Sequence, residues 1–334
     1  MKGKIGVELF NDQLRYEFFL DRKYSILTGL SGTGKTSLKE MVVNYYEDPT
    51  FRQITTLNCQ GFDSIATVRV IDKDNFAKFL LETKNCLIIL DETDIDNLKL
   101  GGYVKELNAS DNYFLFITRE KLGYLSYSYK SIYKIETDFT KGVPINRFDT
   151  LYKDVKLSNL KPEVILTEDS KSGYQFFDKT SNCAVQSAGS KTRIKSAIRK
   201  EIVKGIYSNI YVIADGAAIG SDIRTIVRYL ESDKFLKGNV EVNIFLPESF
   251  EYLLLKTKVF DIPNLEDMLK RTYNYCDARK YISWERFYTS IIEKVGYTKS
   301  KLSDKFLIEE VVSKVYAQIE DLDKSVMDLS RLGK

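Results

Sequence analysis

Gly29-Leu30-Ser31-Gly32-Thr33-Gly34-Lys35-Thr36 is the stretch that decides the fold of the first half of this chain. The apolar run Tyr24-Ser25-Ile26-Leu27 leads into it, and the helix-prone Thr36-Ser37-Leu38-Lys39-Glu40-Met41 leads out. Strand, glycine-rich turn and helix in that order form the phosphate-cradling P-loop pattern. The glycines let backbone N–H groups converge on phosphate oxygens at a helix N-terminus, the lysine reaches the β- and γ-phosphates, and the hydroxyl after it joins a Mg²⁺ shell. Gly29, Ser31, Gly32, Thr33, Gly34, Lys35, Thr36 and Ser37 are therefore expected to hold ATP or another nucleoside triphosphate, with Thr36 on Mg²⁺.

Working outward, Ile5–Phe10 and Leu14–Leu20 alternate as a hairpin around Asn11-Asp12-Gln13. Beyond the loop come short apolar runs at Ile54–Cys59 and Thr67–Ile71, then a helical pattern through Phe76, Phe79, Leu80 and Leu81. Asn85-Cys86-Leu87-Ile88-Ile89-Leu90-Asp91-Glu92 reads as a buried strand ending in two carboxylates, Tyr113–Thr118 as a second, and Ser131–Glu136 as the last. Buried strands alternating with helices predict a parallel α/β sheet. Asp91 is placed to orient Mg²⁺ through its water shell and Glu92 to polarise an attacking water. Thr118 and Arg119, at the end of the following strand, suit a γ-phosphate sensor or a solvated strand boundary.

With 334 residues the chain is long enough for two cores. A mean hydropathy of −0.26, with no long apolar stretch, predicts no membrane span, and the acidic, short start at Ile5-Gly6-Val7-Glu8 is unlike a signal peptide. A cytoplasmic protein is expected. Cys59, Cys86, Cys183 and Cys276 are too scattered for a disulfide framework or a thiolate metal site. The chain has no histidine, which excludes Ser-His and Cys-His nucleophile pairs, His-ligated zinc and an imidazole base. Hydrolysis must then rest on carboxylates, metal-activated water, lysine or arginine. A net charge of +3 means that nucleic-acid affinity has to come from a local patch.

The text turns polar between about 148 and 162, and a new alternating series begins after Pro162. Strands are expected at Glu163–Thr167, Cys183–Ser187, Ile210–Ala214 and Val240–Leu246, with helices at Gly173–Lys179, Thr192–Val203 and Ser221–Leu230. From about 264 the pattern is helical, with Trp284, Phe287, Ile291 and Ile292 on one face and Ile308, Val311, Val312 and Val315 on another. Strand carboxyl ends share one edge of a parallel sheet, so Glu168 and Asp215 can converge there as a hard-cation site for Mg²⁺ or Mn²⁺. Helix capping explains the same carboxylates without a metal. Ser187-Ala188-Gly189-Ser190-Lys191-Thr192-Arg193 opens a basic helix carrying Lys195, Arg199, Lys200 and Lys204, which suits a nucleic-acid phosphate or plain solvation.

The hairpin leading into the Gly29–Thr36 stretch resembles the start of ABC-type ATPase heads, including those of the overcoming-lysogenization-defect (OLD) family. No Leu-Ser-Gly-Gly-Gln-like signature and no switch histidine is present; Gln60 is a candidate for a Q-loop-like place. Residues 163–256 resemble a TOPRIM domain, the nucleotidyl-transfer and hydrolase module of topoisomerases, primases and OLD nucleases. In that family a glutamate follows the first strand, matched by Glu168, and an Asp-x-Asp follows the third, matched by Asp215 but with Ala217 in the second place. Asp169, Asp222 or the acids of Pro247-Glu248-Ser249-Phe250-Glu251-Tyr252 are left to complete the metal set, and the OLD likeness favours Glu251. The expectation is an α/β chain with a P-loop ATPase domain (1–150), a TOPRIM-like parallel α/β domain (160–262) and a helical C-terminal region (263–334). The likeness implies an ATP-coupled, metal-dependent nuclease with Lys35, Asp91, Glu92, Glu168 and Asp215 as catalytic groups. It also implies nucleic acid as partner, DNA favoured, assembly with itself or another protein, and a role against phage or in mobile elements. A nucleotide-switched regulator with an inactive second domain, and a small-molecule kinase, are the alternatives.

Overall fold

The computed structural model describes residues 3–67, 73–139, 142–153, 159–232 and 239–332. The chain divides into two compact units, Met1–Lys153 with Arg271–Ile282, and Asp154–Lys270 with Ser283–Lys334. Both are α/β and both contain parallel strands.

The first unit is a nine-stranded sheet in the order β4-β1-β2-β9-β8-β3-β7-β6-β5. The hairpin β1 (Ile5–Phe10) and β2 (Arg15–Leu20) forms at its expected place, and β3 (Tyr24–Leu27) runs into the glycine-rich loop. β4 (Thr56–Gln60) pairs antiparallel with β1 at the sheet edge. β5 (Ser64–Thr67), β6 (Cys86–Asp91) and β7 (Tyr113–Ile117) complete a parallel stretch with β3, and the apolar runs Cys86–Leu90 and Tyr113–Ile117 reflect burial on both faces. Of the run expected at Thr67–Ile71, residues 68–71 lie outside the described part.

Two expectations are corrected here. β8 (Ile132–Asp138) is not the last strand, because β9 (Ile145–Thr150) returns antiparallel to it and pairs parallel with β2. Charges at Arg147 and Asp149 break the apolar run, and the strand is held by inward-facing Ile145 and by Asn146, whose Oδ1 accepts from Thr137 Oγ1 at 2.6 Å. The sheet is therefore mixed, with a parallel part from β8 to β5 and an antiparallel part around β1, β2 and β4. The helix Lys35–Glu47 buries Leu38, Met41, Val42 and Val43. Leu38, Met41 and Val42 share one core with Ile5, Val7, Tyr16 and Phe18 of the hairpin and Leu27, Leu87, Ile89 and Leu115 of the parallel strands.

The second unit holds a four-stranded, wholly parallel sheet in the order β11-β10-β12-β13. These strands are β10 (Val164–Thr167), β11 (Ala184–Ser187), β12 (Asn209–Ile213) and β13 (Glu241–Phe245), within two residues of their sequence bounds. Helices Ser172–Thr180, Ile194–Lys204 and Gly220–Ser232 connect them. Later helices Trp284–Ile292 and Glu309–Ala317 bury Phe287, Tyr288, Ile291, Ile292, Val311, Val312, Val315 and Tyr316, while Ile308 stays exposed ahead of the second helix. Among the described residues no helix is long and apolar enough to cross a membrane.

Leu115 is fully buried at the centre of β7, between β3 and β6. Leu115→Ala is expected to cost about 2–5 kcal/mol through lost burial and the cavity it leaves. Urea denaturation checks this, and a loss below about 1 kcal/mol contradicts so central a place.

Candidate functional site

In the first unit the glycine-rich loop takes a conformation that its glycines alone permit cheaply. Gly29, Gly32 and Gly34 have φ of +133°, +78° and +88°, a region that side chains with a Cβ rarely adopt. A Cβ on Gly34 would also stand 3.0 Å from the Tyr16 hydroxyl, which donates to Gly34 O at 2.6 Å. The Lys35 ammonium lies inside the loop, donating to Gly29 O (3.0 Å), Leu30 O (2.6 Å) and Thr33 Oγ1 (3.0 Å). Burial, and after it the Arg119 charge, hold the Lys35 ammonium below its ordinary range, with Glu92 opposing. Thr36 and Ser37 begin the helix that follows.

Parallel pairing brings the other groups to this edge. Leu27 of β3 pairs with Ile117 of β7, and Ile117 pairs with Asp91 of β6, so Thr28, Thr118 and Glu92 leave the sheet side by side. Arg119 ties them together. Its backbone N–H donates to Glu92 Oε1 at 2.7 Å and its Nη2 to Ser31 Oγ at 2.8 Å. The Thr118 hydroxyl instead accepts from Glu120 N at 2.9 Å, within its own turn. Asp91 caps the helix Glu92–Leu98 in a reciprocal box with Asp94.

Lys39, one turn after Lys35, donates to Asp91 Oδ2 (2.6 Å) and Asp94 Oδ2 (2.8 Å). Burial pushes the Asp91 carboxyl up, but the Lys39 bond and the Asp94 N–H prevail and hold it low. Burial and the adjacent Asp91 charge raise Asp94. Lys39 and Asp94 escaped the sequence reading, although the Asp91-x-x-Asp94 spacing is a capping-box signal. Gln60 ends the edge strand β4, with β1, β2, β9 and β8 between it and β3 in the sheet order, and is not part of this group.

In the second unit Thr167 of β10 pairs with Ile213 of β12, which sets Glu168 beside Asp215. Glu168 Oε2 accepts from Asp215 N at 3.0 Å, and Asp215 Oδ1 accepts from Phe250 N at 3.1 Å. Glu168, Asp169, Asp215, Glu251 and Lys299 line a cavity of about 30 Å³, room for a water or an ion. Glu251 is only 1% exposed; its Oε1 accepts from Tyr297 OH at 2.8 Å, while its Oε2 has no hydrogen-bond partner. Tyr297 OH also bonds Ser172 Oγ.

Three groups here have no signature in the sequence: Tyr297, Glu285 and Lys299. Lys299 Nζ donates to Glu285 Oε1 and lies 3.9 Å from Glu251 Oε1. Burial drives the Glu168 carboxyl up to about 7, against the Asp215 N–H bond and with the help of the Glu285 charge. Asp215 is raised well above the carboxylate range by burial and then by Glu285, Glu168 and Glu251. Burial pulls the Lys299 ammonium down, but Glu251, Glu285 and Asp215 together hold it above its usual range. The structure thus gathers Glu168, Asp215 and Glu251, the three proposed metal ligands. Asp222 is buried in its own helix, bonded by Ser221 Oγ, and Ala217 is 2% exposed with its N–H on Glu248 O.

Hard oxygen donors and the orphaned Glu251 Oε2 fit a divalent cation chemically. Among the described residues, however, no three His, Cys, Asp or Glu groups are drawn into a ready-made ligand set. On the same sheet edge Gly189 turns at φ +86° after Ser187, with Lys191 Nζ on Ala218 O at 2.9 Å. Arg193, Arg199 and Lys200 remain exposed, whereas Lys204 pairs with Glu201.

No protein-family model matches the chain, and no curated protein matches it significantly. Fold and geometry define a class, an α/β chain of two units. One carries a glycine-rich loop beside strand-end carboxylates and the other a buried acidic pocket.

Because the folded Glu168 binds its proton more tightly than the unfolded group at 4.5, its contribution to stability is present below pH 4.5 and is lost as pH rises through about 7. At pH 8 the buried charge costs on the order of 3 kcal/mol at most. Glu168→Gln is expected to raise the melting temperature at pH 8 and to leave it unchanged near pH 4. Thermal denaturation across that range checks the sign, and a pH-independent difference contradicts it.

Proposed function

We propose that the chain is an ATP-binding and hydrolysing protein coupled to a metal-dependent, TOPRIM-like nuclease acting on nucleic-acid phosphodiesters, DNA being the favoured substrate. The reading is supported most directly by the convergence of Glu168, Asp215 and the unpartnered Glu251 Oε2 on one small cavity at the carboxyl edge of a parallel sheet. The nucleotide half rests on the P-loop reading of Gly29–Thr36 and on Arg119, which bridges Ser31 and Glu92.

In the first unit Lys35 exchanges the loop carbonyls it now holds for phosphate oxygens, and the N–H groups around Gly32 and Gly34 face the same charge. Glu92 takes the proton of the attacking water, with its carboxylate fixed by Arg119 N–H. Thr36 and Asp91 would hold Mg²⁺, which would supply charge neutralisation at the phosphates.

In the second unit Glu168 Oε2 is committed to Asp215 N, so Oε1 is the oxygen left for a metal ion. Asp215 and Glu251 anchor the pocket from two other elements. Glu168, Asp215 and Glu251 would hold Mg²⁺ or Mn²⁺, which would supply Lewis acidity toward a phosphodiester. The exposed Arg193, in the turn Lys191–Arg193, and Arg199 and Lys200, on the helix Ile194–Lys204 that follows it, are a local patch for the polyanion.

The second reading is a nucleotide-switched regulator with an inactive second unit. It is favoured by Ala217, which brings no carboxylate, and by Lys299, which already supplies positive charge to the pocket.

Two variants separate the halves. Lys35→Ala is expected to lower ATP turnover, read as phosphate release, by about 100-fold or more. Glu168→Ala is expected to leave that turnover within a few-fold of wild type while abolishing Mn²⁺-dependent cleavage of nucleic acid. Unchanged turnover in Lys35→Ala overturns the nucleotide reading, and undiminished cleavage in Glu168→Ala overturns the nuclease reading.

A further inference from the structure

We infer that Glu285, joined through Lys299 to the cavity lined by Glu168, Asp169, Asp215 and Glu251, is a further carboxylate of the acidic pocket, and that Lys299 is its resident cation, displaced when one divalent cation enters. The inference rests on the proposal that the second unit binds metal and specifies how that binding is controlled.

The pocket has an unusual balance of groups. Glu168 and Asp215 come from the ends of β10 and β12, Glu251 from the helix Phe250–Lys256, and Glu285 from the first turn of the helix Trp284–Ile292. Asp169 also lines the cavity, and the ammonium that lines it with these carboxylates is Lys299, bonded to Glu285 and near Glu251. A purely structural ion cluster satisfies its buried oxygens, because an unmatched buried carboxylate oxygen is costly. Glu251 Oε2, in a residue 1% exposed, is unmatched, and the residue lines a cavity large enough for one ion. An all-carboxylate set with no nitrogen or sulfur ligand suits a hard cation such as Mg²⁺ or Mn²⁺.

Lys299 is built to leave. Its backbone is pinned, since its carbonyl accepts from Ser172 N at 3.2 Å, and the neighbouring Tyr297 is buried and bonded to Glu251 and Ser172. The side chain is 29% exposed on a flexible four-carbon stem, so the ammonium can swing to solvent without moving the fold. A divalent ion entering between Glu251 and Glu285 meets this ammonium as a like charge, and the two cannot share the pocket.

The test is isothermal titration of the full chain with MnCl₂ alone, comparing wild type, Lys299→Met and Glu285→Gln, with Glu168→Ala defining the signal that belongs to this pocket. Removing the competing charge is expected to tighten Glu168-dependent Mn²⁺ binding about tenfold in Lys299→Met. Losing a ligand weakens it about tenfold or more in Glu285→Gln. Thermal denaturation gives a second readout, in which Mn²⁺ raises the melting temperature of Lys299→Met more than that of wild type. Should Lys299→Met fold poorly, Lys299→Gln serves in its place. Equal Mn²⁺ affinity in wild type and Lys299→Met, with binding still dependent on Glu168, overturns the inference and leaves the nuclease reading standing. No Glu168-dependent Mn²⁺ binding in any variant overturns both.

Discussion

In-register parallel pairing is the constraint on which both candidate sites depend. A parallel sheet delivers every strand's carboxyl end to one edge, so residues far apart in sequence meet wherever their strands pair. In the first unit Leu27, Ile117 and Asp91 lie in one row across β3, β7 and β6, which sets the glycine-rich loop, Arg119 and Glu92 side by side. In the second, Thr167 opposite Ile213 does the same for Glu168 and Asp215. A one-residue slip of either register would turn these groups to the other face and dissolve the site.

Both edges also solve the same electrostatic problem in the same way. Carboxylates gathered at a sheet edge repel each other, and each unit answers with a lysine. Lys39 bridges Asp91 and Asp94 in the first unit, and Lys299 joins Glu285 beside Glu251 in the second. The outcomes differ because the surroundings differ. Asp91 keeps solvent access and a capping role and is held ionised, whereas Glu168 and Asp215 are pushed toward the protonated form by burial and by the Glu285 charge. The second pocket thus carries the greater charge repulsion of the two, relieved by protonation and by the Lys299 ammonium.

Much of this was legible in the sequence. The hairpin, the strand before the glycine-rich loop, the helix after it, the Asp91 strand and the order of elements from Val164 to Phe245 all follow from apolar periodicity and punctuation by glycine. β9 was not legible, because Asn146 and Arg147 interrupt its apolar run and its burial comes from tertiary pairing with β2 and β8. Of the acidic pocket, Glu168 and Asp215 could be named because strand ends announce them, and Glu251, in the helix Phe250–Lys256, only through the resemblance to OLD nucleases. Glu285 and Lys299 could not, since they belong to a helix start and an irregular segment whose text matches any solvated surface. Only tertiary packing shows that these two charges face inward.

The central claim is that one chain joins a nucleotide site to a metal-dependent nuclease. Its most direct test is plasmid nicking at saturating Mn²⁺ by wild type and Lys35→Ala, each with and without ATP. The account predicts that wild-type nicking changes with ATP and that Lys35→Ala nicks at a rate indifferent to ATP. No nicking by wild type under any of these conditions, or an undiminished ATP response in Lys35→Ala, would contradict it.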